Sequence, residues 1–241
     1  MIILNLICLL ALLLVLFLLF LAVCGLVVNP NKEYENHSSF YRALVNMISF
    51  IIIKVMRIKI HASGVDKVPK GTKKILFVGN HRSNFDPILT WYVLKPWQLS
   101  FISKPSNFKI PIFGRYVQKC CFMAIDRENP RNAMKTIIKA SKLLQKGEVS
   151  VGVYPEGTRS KECRLLPFHN GVFKIAQRAE APIVIVAISG TEKVSKNYPL
   201  HKTDVYVDVL DVLSAEWVKT AQTDDIGELV KDKLYKHLSE K

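Results

Sequence analysis

His81 and Asp86, with four residues between them, form a pair that can do chemistry. They lie in the segment Asn80–Pro87, NHRSNFDP, directly after an apolar run that predicts a strand. On a straight helix this spacing rotates one side chain from the other by about 140°, so the two would diverge. On a loop that enters a helix they can meet, and Asp86 can then bind one ring nitrogen of His81. The other nitrogen stays free to take a proton from an alcohol.

Each member of this pair also has an ordinary structural explanation. An aspartate before a proline is a common helix N-cap, and an isolated loop histidine usually has only a hydrogen-bonding role. A catalytic serine is conceivable at Ser83, but the chain contains no GxSxG motif. The histidines at positions 61, 169 and 201 lack the spacing of metal ligands. The pair alone leaves these alternatives open.

A second polar segment, Tyr154–Ser160 (YPEGTRS), also follows a predicted strand. Gly157 permits a tight turn, and Thr158 can form a local hydrogen bond. The turn presents Arg159 at a strand end, where α/β sheets tend to bind ligands, and a planar guanidinium suits a phosphate monoester. Glu156 can orient Arg159 or contact a substrate. The alternative is a plain turn with a solvated Glu–Arg pair.

A third and weaker candidate is Arg127, in the sequence Ile125-Asp126-Arg127 after another predicted strand. Its guanidinium is a second candidate ligand for phosphate. An ordinary surface ion pair with Asp126 is the alternative.

These residues need a scaffold, and the hydrophobic pattern indicates which one. Strands are predicted at 73–78, 99–102, 120–125, 149–154, 182–188 and 205–210, the last as an edge strand, and helices at 87–94, 129–147, 170–179 and 224–238. Strands that alternate with helices predict an α/β fold with a mixed, largely parallel sheet flanked by helices.

The N-terminal segment Ile2–Val28 contains no charged residue. A membrane-spanning helix needs about 20 apolar residues, and this run exceeds that length. A secretory signal peptide would have a basic start and a shorter apolar core, so we predict an uncleaved membrane anchor.

The next segment, Phe40–Lys59, is apolar but carries several cations. We predict a helix that lies in the headgroup layer with its cations pointing outward; a second span and a buried core helix are the alternatives. The predicted organisation is an anchoring region at 1–60 and an α/β domain at 61–241. The interrupting polar residues are Arg42, Asn46, Lys54, Arg57 and Lys59.

The chain has a formal net charge of +14, and the excess is uneven. Positions 29–120 hold 15 Lys and Arg against 4 Asp and Glu, a net of +11 close behind the anchor. This predicts a cytoplasmic domain beside anionic lipid. Five cysteines without a CxxC pair favour neither a disulfide framework nor a zinc site. The anchor and the absence of a recognised nucleic-acid motif argue against a nucleic-acid partner.

Together these segments resemble the glycerolipid acyltransferases, a family that includes lysophosphatidic acid acyltransferases. The family's first block, NHxxxxD, matches residues 80–86, and its second, often IDR, matches 125–127. Its third block, FPEGTRS, matches 154–160 with tyrosine in place of phenylalanine. Its fourth, an apolar strand with proline, matches 181–185 without the second proline often seen there.

This resemblance implies acyl transfer from acyl-CoA or acyl carrier protein to the free hydroxyl of a lysophospholipid, above all 1-acylglycerol 3-phosphate. It implies His81 as general base, Asp86 as its orienting partner and Asn80 or backbone N–H groups near the oxyanion. It implies no metal or other cofactor and no covalent acyl-enzyme. Other acceptors, such as glycerol 3-phosphate or another lysophospholipid, and a non-catalytic lipid-binding protein stay as alternatives.

The resemblance also implies a binding site for the acceptor. Glu156, Gly157, Thr158 and Arg159 would form it, assisted by Arg127. Lys104 or Arg115 are further candidates for the phosphate.

Overall fold

A computed structural model of the chain describes residues 1–239. Its helices are α1 Ile2–Leu26, α2 Ser39–Val55, α3 Asp86–Val93, α4 Phe113–Lys119, α5 Pro130–Lys146, α6 Lys174–Ala179, α7 Val194–Asn197, α8 Ala215–Thr220 and α9 Thr223–Ser239. Its strands are β1 Ile58–Ser63, β2 Leu76–Gly79, β3 Leu99–Ser103, β4 Met123–Ala124, β5 Ser150–Val153, β6 Ile183–Ser189 and β7 Thr203–Leu213.

The strands form one sheet in the order β1-β7-β6-β2-β5-β3-β4. Every neighbouring pair is parallel except β6 and β7, which confirms the predicted mixed, largely parallel sheet. In the centre, Val78 of β2 pairs with Val153 of β5 and with Ile185 of β6. The carboxyl ends of these three strands therefore open at one edge of the sheet.

The two faces of the sheet carry separate apolar layers, because successive side chains of a strand point to opposite sides. Phe77 packs with α2, α3 and α4, in a layer that includes Trp91 and Tyr116. Leu76 and Val78 face the other layer, which α5, α6 and α9 complete. Both layers hold the strand ends, and the loops that follow them, in place.

Two sequence predictions about the far side of the sheet were wrong. Strand β7 is not an edge strand: it lies between β1 and β6 and runs over 11 residues. Its alternating pattern reports one exposed face, which says nothing about whether its edges are paired. The edge position belongs to β1, which the prediction had assigned partly to the end of an apolar helix; Arg57, with φ at +54°, separates helix from strand.

Helix α2 buries one face against α3 and α4 and exposes Phe40, Phe50, Ile51 and Val55 on the other. The prediction that its cations point outward was wrong for Arg42, which is 6% exposed. The Arg42 guanidinium donates to the carbonyl oxygens of Leu99 (2.9 Å) and Cys120 (3.4 Å). The predicted boundary between an anchoring region and an α/β domain at residue 60 falls inside β1. That division of the chain stays a prediction.

Helix α1 is 25 residues long, with a mean hydropathy of 3.5, and almost none of it is buried. Within residues 1–239 it is the one helix long and apolar enough to cross a membrane, which agrees with an anchor. Its last turns dock on the domain: the hydroxyls of Tyr116 and Tyr41 donate to the carbonyls of Leu21 (2.5 Å) and Cys24 (2.8 Å). Nη1 of Arg115 donates to the α1 carbonyl oxygens of Gly25 (3.1 Å) and Leu26 (3.2 Å) as well, so its guanidinium lies against this helix. Its role as a phosphate ligand stays a prediction.

Candidate active site

Three loops meet at the carboxyl edge of the central strands. The loop after β2 carries His81, the turn after β5 carries Glu156, and the short 3₁₀ turn after β6 begins at Thr191. Because β2 pairs with both β5 and β6, parallel register brings these loops side by side. This is the edge where open α/β sheets bind ligands.

The predicted pairing of His81 with Asp86 is present. Nδ1 of the imidazole lies 2.8 Å from Oδ2 of the carboxylate. The Asp86 side chain is fully buried, whereas that of His81 is 19% exposed. Since the carboxylate accepts, Nδ1 carries the proton, and Nε2 is left as the basic nitrogen. The structure shows no hydrogen bond from residues 1–239 to Nε2.

Asp86 does not cap helix α3, as an aspartate before proline was expected to do. It is the first helical residue, and Phe85 occupies the N-cap position. Its Oδ2 instead reaches back and accepts hydrogen bonds from the backbone N–H groups of Arg82 (2.6 Å) and Ser83 (2.7 Å). These bonds fold the loop so that His81 returns to the same carboxylate.

A fourth donor to Asp86 was missed by the sequence analysis. The hydroxyl of Thr191, which is 1% exposed, donates to Oδ1 at 2.6 Å. The two residues are 105 positions apart, and a threonine after an apolar strand carries no distinctive signal.

Glu156 is buried and joins the two main motifs. Its Oε1 accepts from the backbone N–H of His81 (2.7 Å), and its Oε2 accepts from that of Leu166 (3.0 Å). Ser160 completes the junction, because its N–H donates to the carbonyl oxygen of His81 at 2.9 Å. Burial raises the pKa of Glu156, and the two backbone hydrogen bonds oppose that rise. Glu156 therefore fixes the histidine loop rather than orienting Arg159.

The ring of Tyr154 lies flat against the imidazole of His81. The ring centroids are 4.5 Å apart and the planes differ by 13°. Its hydroxyl lies 3.3 Å from that of Thr90, which itself donates to the main-chain oxygen of Asp86. Burial raises the pKa of the Tyr154 phenol well above its usual value, so the ring stays neutral. Tyr154 thus limits how the imidazole can tilt.

Asn80 has a different position from the one expected for an oxyanion ligand. Its buried amide donates to the carbonyl oxygen of Ile188 (2.9 Å) and accepts from the Ile188 N–H (2.8 Å). The side chain therefore ties the end of β2 to β6, and one of its two amide N–H donors is used there.

The predicted phosphate ligands lie at the same edge. Lys104, Arg127 and Arg159 are exposed and follow β3, β4 and β5, which are neighbours in the sheet. Arg159 lines an open pocket of about 400 Å³, with Lys161 and Arg164 also on its wall. Thr158 is exposed beside it. Cations at three adjacent strand ends suit an anionic group.

Gly157 allows His169 to lie close to this turn, and Arg127 lies within van der Waals distance of it. Its φ of +68° is a conformation that L side chains rarely adopt, and a Cβ there would lie 3.0 Å from the ring of His169. The same point lies 3.6 Å from Nε of Arg127. His169 was not among the predicted site residues, since its spacing from the motifs gave no signal.

This site and fold match a defined class of protein. The model of the acyltransferase family matches residues 59–189, more than half of the chain, and the chain belongs to that family. The matched region begins in β1 and ends with β6, so it includes the histidine loop and the turn after β5.

Individual relatives agree. The chain is 27% identical to the 1-acyl-sn-glycerol-3-phosphate acyltransferase of Haemophilus influenzae over 72% of this chain and 73% of that protein. It is 33% identical to the Escherichia coli protein of the same name, over 56% of this chain and 55% of that one. The chain spans little more than half of that relative, and 39% of a relative from Chlamydomonas reinhardtii. The fold resembles that of the acyltransferase PlsC from Thermotoga maritima, with a TM-score of 0.67 at 20% identity over 83% of this chain and 78% of that one.

Proposed function

We propose that this protein transfers a fatty acyl group from a thioester to the free 2-hydroxyl of 1-acylglycerol 3-phosphate, which gives phosphatidic acid. The observation that carries the proposal is the His81–Asp86 pair: a buried carboxylate holds Nδ1, and the opposite nitrogen has no hydrogen bond from residues 1–239. Three exposed cations follow neighbouring strands of the same sheet. The names of the relatives support the choice of acceptor.

In the proposed reaction His81 is the general base. Nε2 takes the proton of the acceptor hydroxyl as its oxygen forms a bond to the thioester carbonyl carbon. Asp86 stabilises the imidazolium that forms, as an aspartate does in a catalytic triad. The tetrahedral intermediate then loses the thiolate, which receives the proton from His81. No serine or cysteine nucleophile is required.

The phosphate of the acceptor provides most of its recognition. We place it against Arg159, with Arg127 and Lys104 at the neighbouring strand ends. A guanidinium binds a phosphate through paired, charge-assisted hydrogen bonds, so Arg159 should contribute the most. Backbone N–H groups at this edge, rather than Asn80, would stabilise the oxyanion.

The anchor places this site next to its lipid substrate. We propose that α1 crosses the membrane and that the domain lies on the cytoplasmic face, where its cations meet anionic headgroups. An acceptor that stays in the bilayer is thereby concentrated at the site, and a soluble donor reaches the site from the aqueous phase. The proposed donor is acyl-CoA or acyl carrier protein, and both carry the same type of thioester.

The test is product identification by mass spectrometry. Purified full-length protein is given lysophosphatidic acid, glycerol 3-phosphate or other lysophospholipids, each with acyl-CoA or acyl carrier protein. We expect phosphatidic acid from lysophosphatidic acid, and its loss in His81→Ala but not in His201→Ala, a change at an exposed histidine outside the site. Turnover retained in His81→Ala would refute the proposal. A different preferred acceptor would refute its assignment of the substrate.

Arginine substitutions test the phosphate site. Arg159→Ala should raise the KM for lysophosphatidic acid about 100-fold and leave the KM of the donor within about twofold. Equal increases for both substrates would contradict a phosphate contact. Arg178→Ala, on the surface of α6, is the matched control.

A further inference from the structure

The buried carboxylate of Asp86 receives four hydrogen bonds. Three come from its own loop: His81 Nδ1 and the backbone N–H groups of Arg82 and Ser83, all on Oδ2. The fourth, from the Thr191 hydroxyl, is the only one from residues 1–239 on Oδ1. All four partners are donors or can donate, so the arrangement suits an ionised carboxylate, which only accepts.

We infer that Thr191 is a positioning residue that acts through Asp86 on the general base. This inference rests on the proposed acyl transfer. Three donors set the position of Oδ2 but leave the other oxygen unheld, so the plane of the carboxylate can tilt about Oδ2. The Thr191 hydroxyl fixes the second oxygen at 2.6 Å and so holds Oδ2 toward His81.

The local backbone explains why Thr191 reaches the aspartate. Strand β6 ends at Ser189, and Gly190 turns the chain with φ at +86°. A Cβ at Gly190 would collide with the carbonyl oxygen of Asp204, so the turn requires glycine. Thr191 follows at the start of a 3₁₀ turn, is 1% exposed, and reaches Asp86 with its hydroxyl.

This contact also links parts of the fold that sequence distance keeps apart. Asp86 is the first residue of α3 and follows β2, whereas Thr191 follows β6. In the sheet, β2 lies between β6 and β5. A purely structural role would stabilise the fold without changing catalysis. A positioning role predicts a loss of turnover that only a hydroxyl at position 191 prevents.

Two substitutions distinguish these roles. Thr191→Val keeps the shape of the side chain but removes the donor, so kcat should fall about tenfold while the KM for lysophosphatidic acid stays within about twofold. Thr191→Ser retains the hydroxyl and should restore most of kcat. Thr203→Val is the matched control, since its buried hydroxyl bonds Asn197 and not Asp86. Wild-type kcat in Thr191→Val, or equal losses in the Val and Ser variants, would overturn the inference.

A second measurement does not depend on turnover. NMR of protein with ¹⁵N-labelled histidine reports the proton that His81 Nδ1 shares with Asp86. The downfield ¹H resonance of this Nδ1 proton should shift or broaden in Thr191→Val and have its wild-type position and width in Thr191→Ser. Thr203→Val should leave it unchanged. An inactive wild type with this response would refute the proposed function alone. An active wild type whose resonance is the same in Thr191→Val would refute the positioning role alone.

Discussion

The carboxylate of Glu156 holds the backbone of His81: its Oε1 accepts the His81 N–H at 2.7 Å, across 75 positions of sequence. Ser160 bonds the carbonyl oxygen of the same residue. The main chain of His81 is thus held on both sides by the turn after β5, while its ring is held by Asp86. The two motifs form one rigid unit because each supplies the hydrogen-bonding partners that the other lacks.

Glu156→Gln should impair turnover although Glu156 touches no reacting atom. Glutamine presents one acceptor oxygen to the two N–H groups, of His81 and Leu166, that Glu156 satisfies. One buried N–H then loses its acceptor, and kcat should fall about tenfold. Steady-state kinetics measure this, with Glu216→Gln, an exposed residue on α8, as control. A variant with normal kcat would show that Glu156 is dispensable for the loop.

The stability contribution of Glu156 should depend on pH. Burial raises its pKa above the ordinary value of 4.5, so the folded protein holds this proton more tightly than the unfolded chain. The contribution is then greatest below 4.5 and declines as pH rises through the higher folded pKa. Thermal unfolding at a series of pH values should show the wild type losing stability relative to Glu156→Gln as pH rises through this window. A constant difference would contradict the assigned shift.

Tyr154 should act mainly through its ring. Tyr154→Phe keeps the stack on His81 and loses only the long contact with Thr90, so its kcat should stay within about threefold of wild type. Tyr154→Leu removes the flat surface, and kcat should fall about tenfold. Kinetics on both variants check this order, and a Phe variant as impaired as the Leu variant would show that the hydroxyl matters more.

The adjacent cysteines should resist alkylation in the folded protein. Burial raises the pKa of Cys120 to about 12 and that of Cys121 to about 11, so both stay as thiols near neutral pH. Mass spectrometry after maleimide treatment should find label on Cys163, which is partly exposed, and on the adjacent pair only after denaturation. Rapid labelling of Cys120 in the native protein would contradict the packing of α2 over it.

Arg42 should stabilise the docking of α2. Arg42→Ala leaves the carbonyl oxygens of Leu99 and Cys120 without their charged donor, at a cost of about 2 kcal/mol. The melting temperature should fall by about 5 °C. Arg42→Lys keeps the charge but cannot reach both carbonyls in the same geometry, so its loss should be smaller. Lys54→Ala, on the same helix, is the control, and an equal effect there would contradict a specific role for Arg42.

Local patterns determined much of this protein. The charge-free run at the N-terminus predicted α1, and the alternation of strands and helices predicted the sheet class. Both ends of helix α5 were predicted correctly, because Asn129 caps its start and Gly147 caps its end. The contact of His81 with Asp86 could also be predicted from the sequence, because the two residues are only five positions apart on a loop that enters a helix.

Only the tertiary structure decided which distant groups complete the site. The contacts of Glu156 with His81 and of Thr191 with Asp86 depend on the order of β5, β2 and β6 in the sheet, which local patterns do not specify. The same reason explains the errors. The pairing of β7 with β1 and the burial of Arg42 depend on which element packs beside each residue. Hydrophobic periodicity shows only which face of a helix or strand is buried, and it does not identify the neighbouring element.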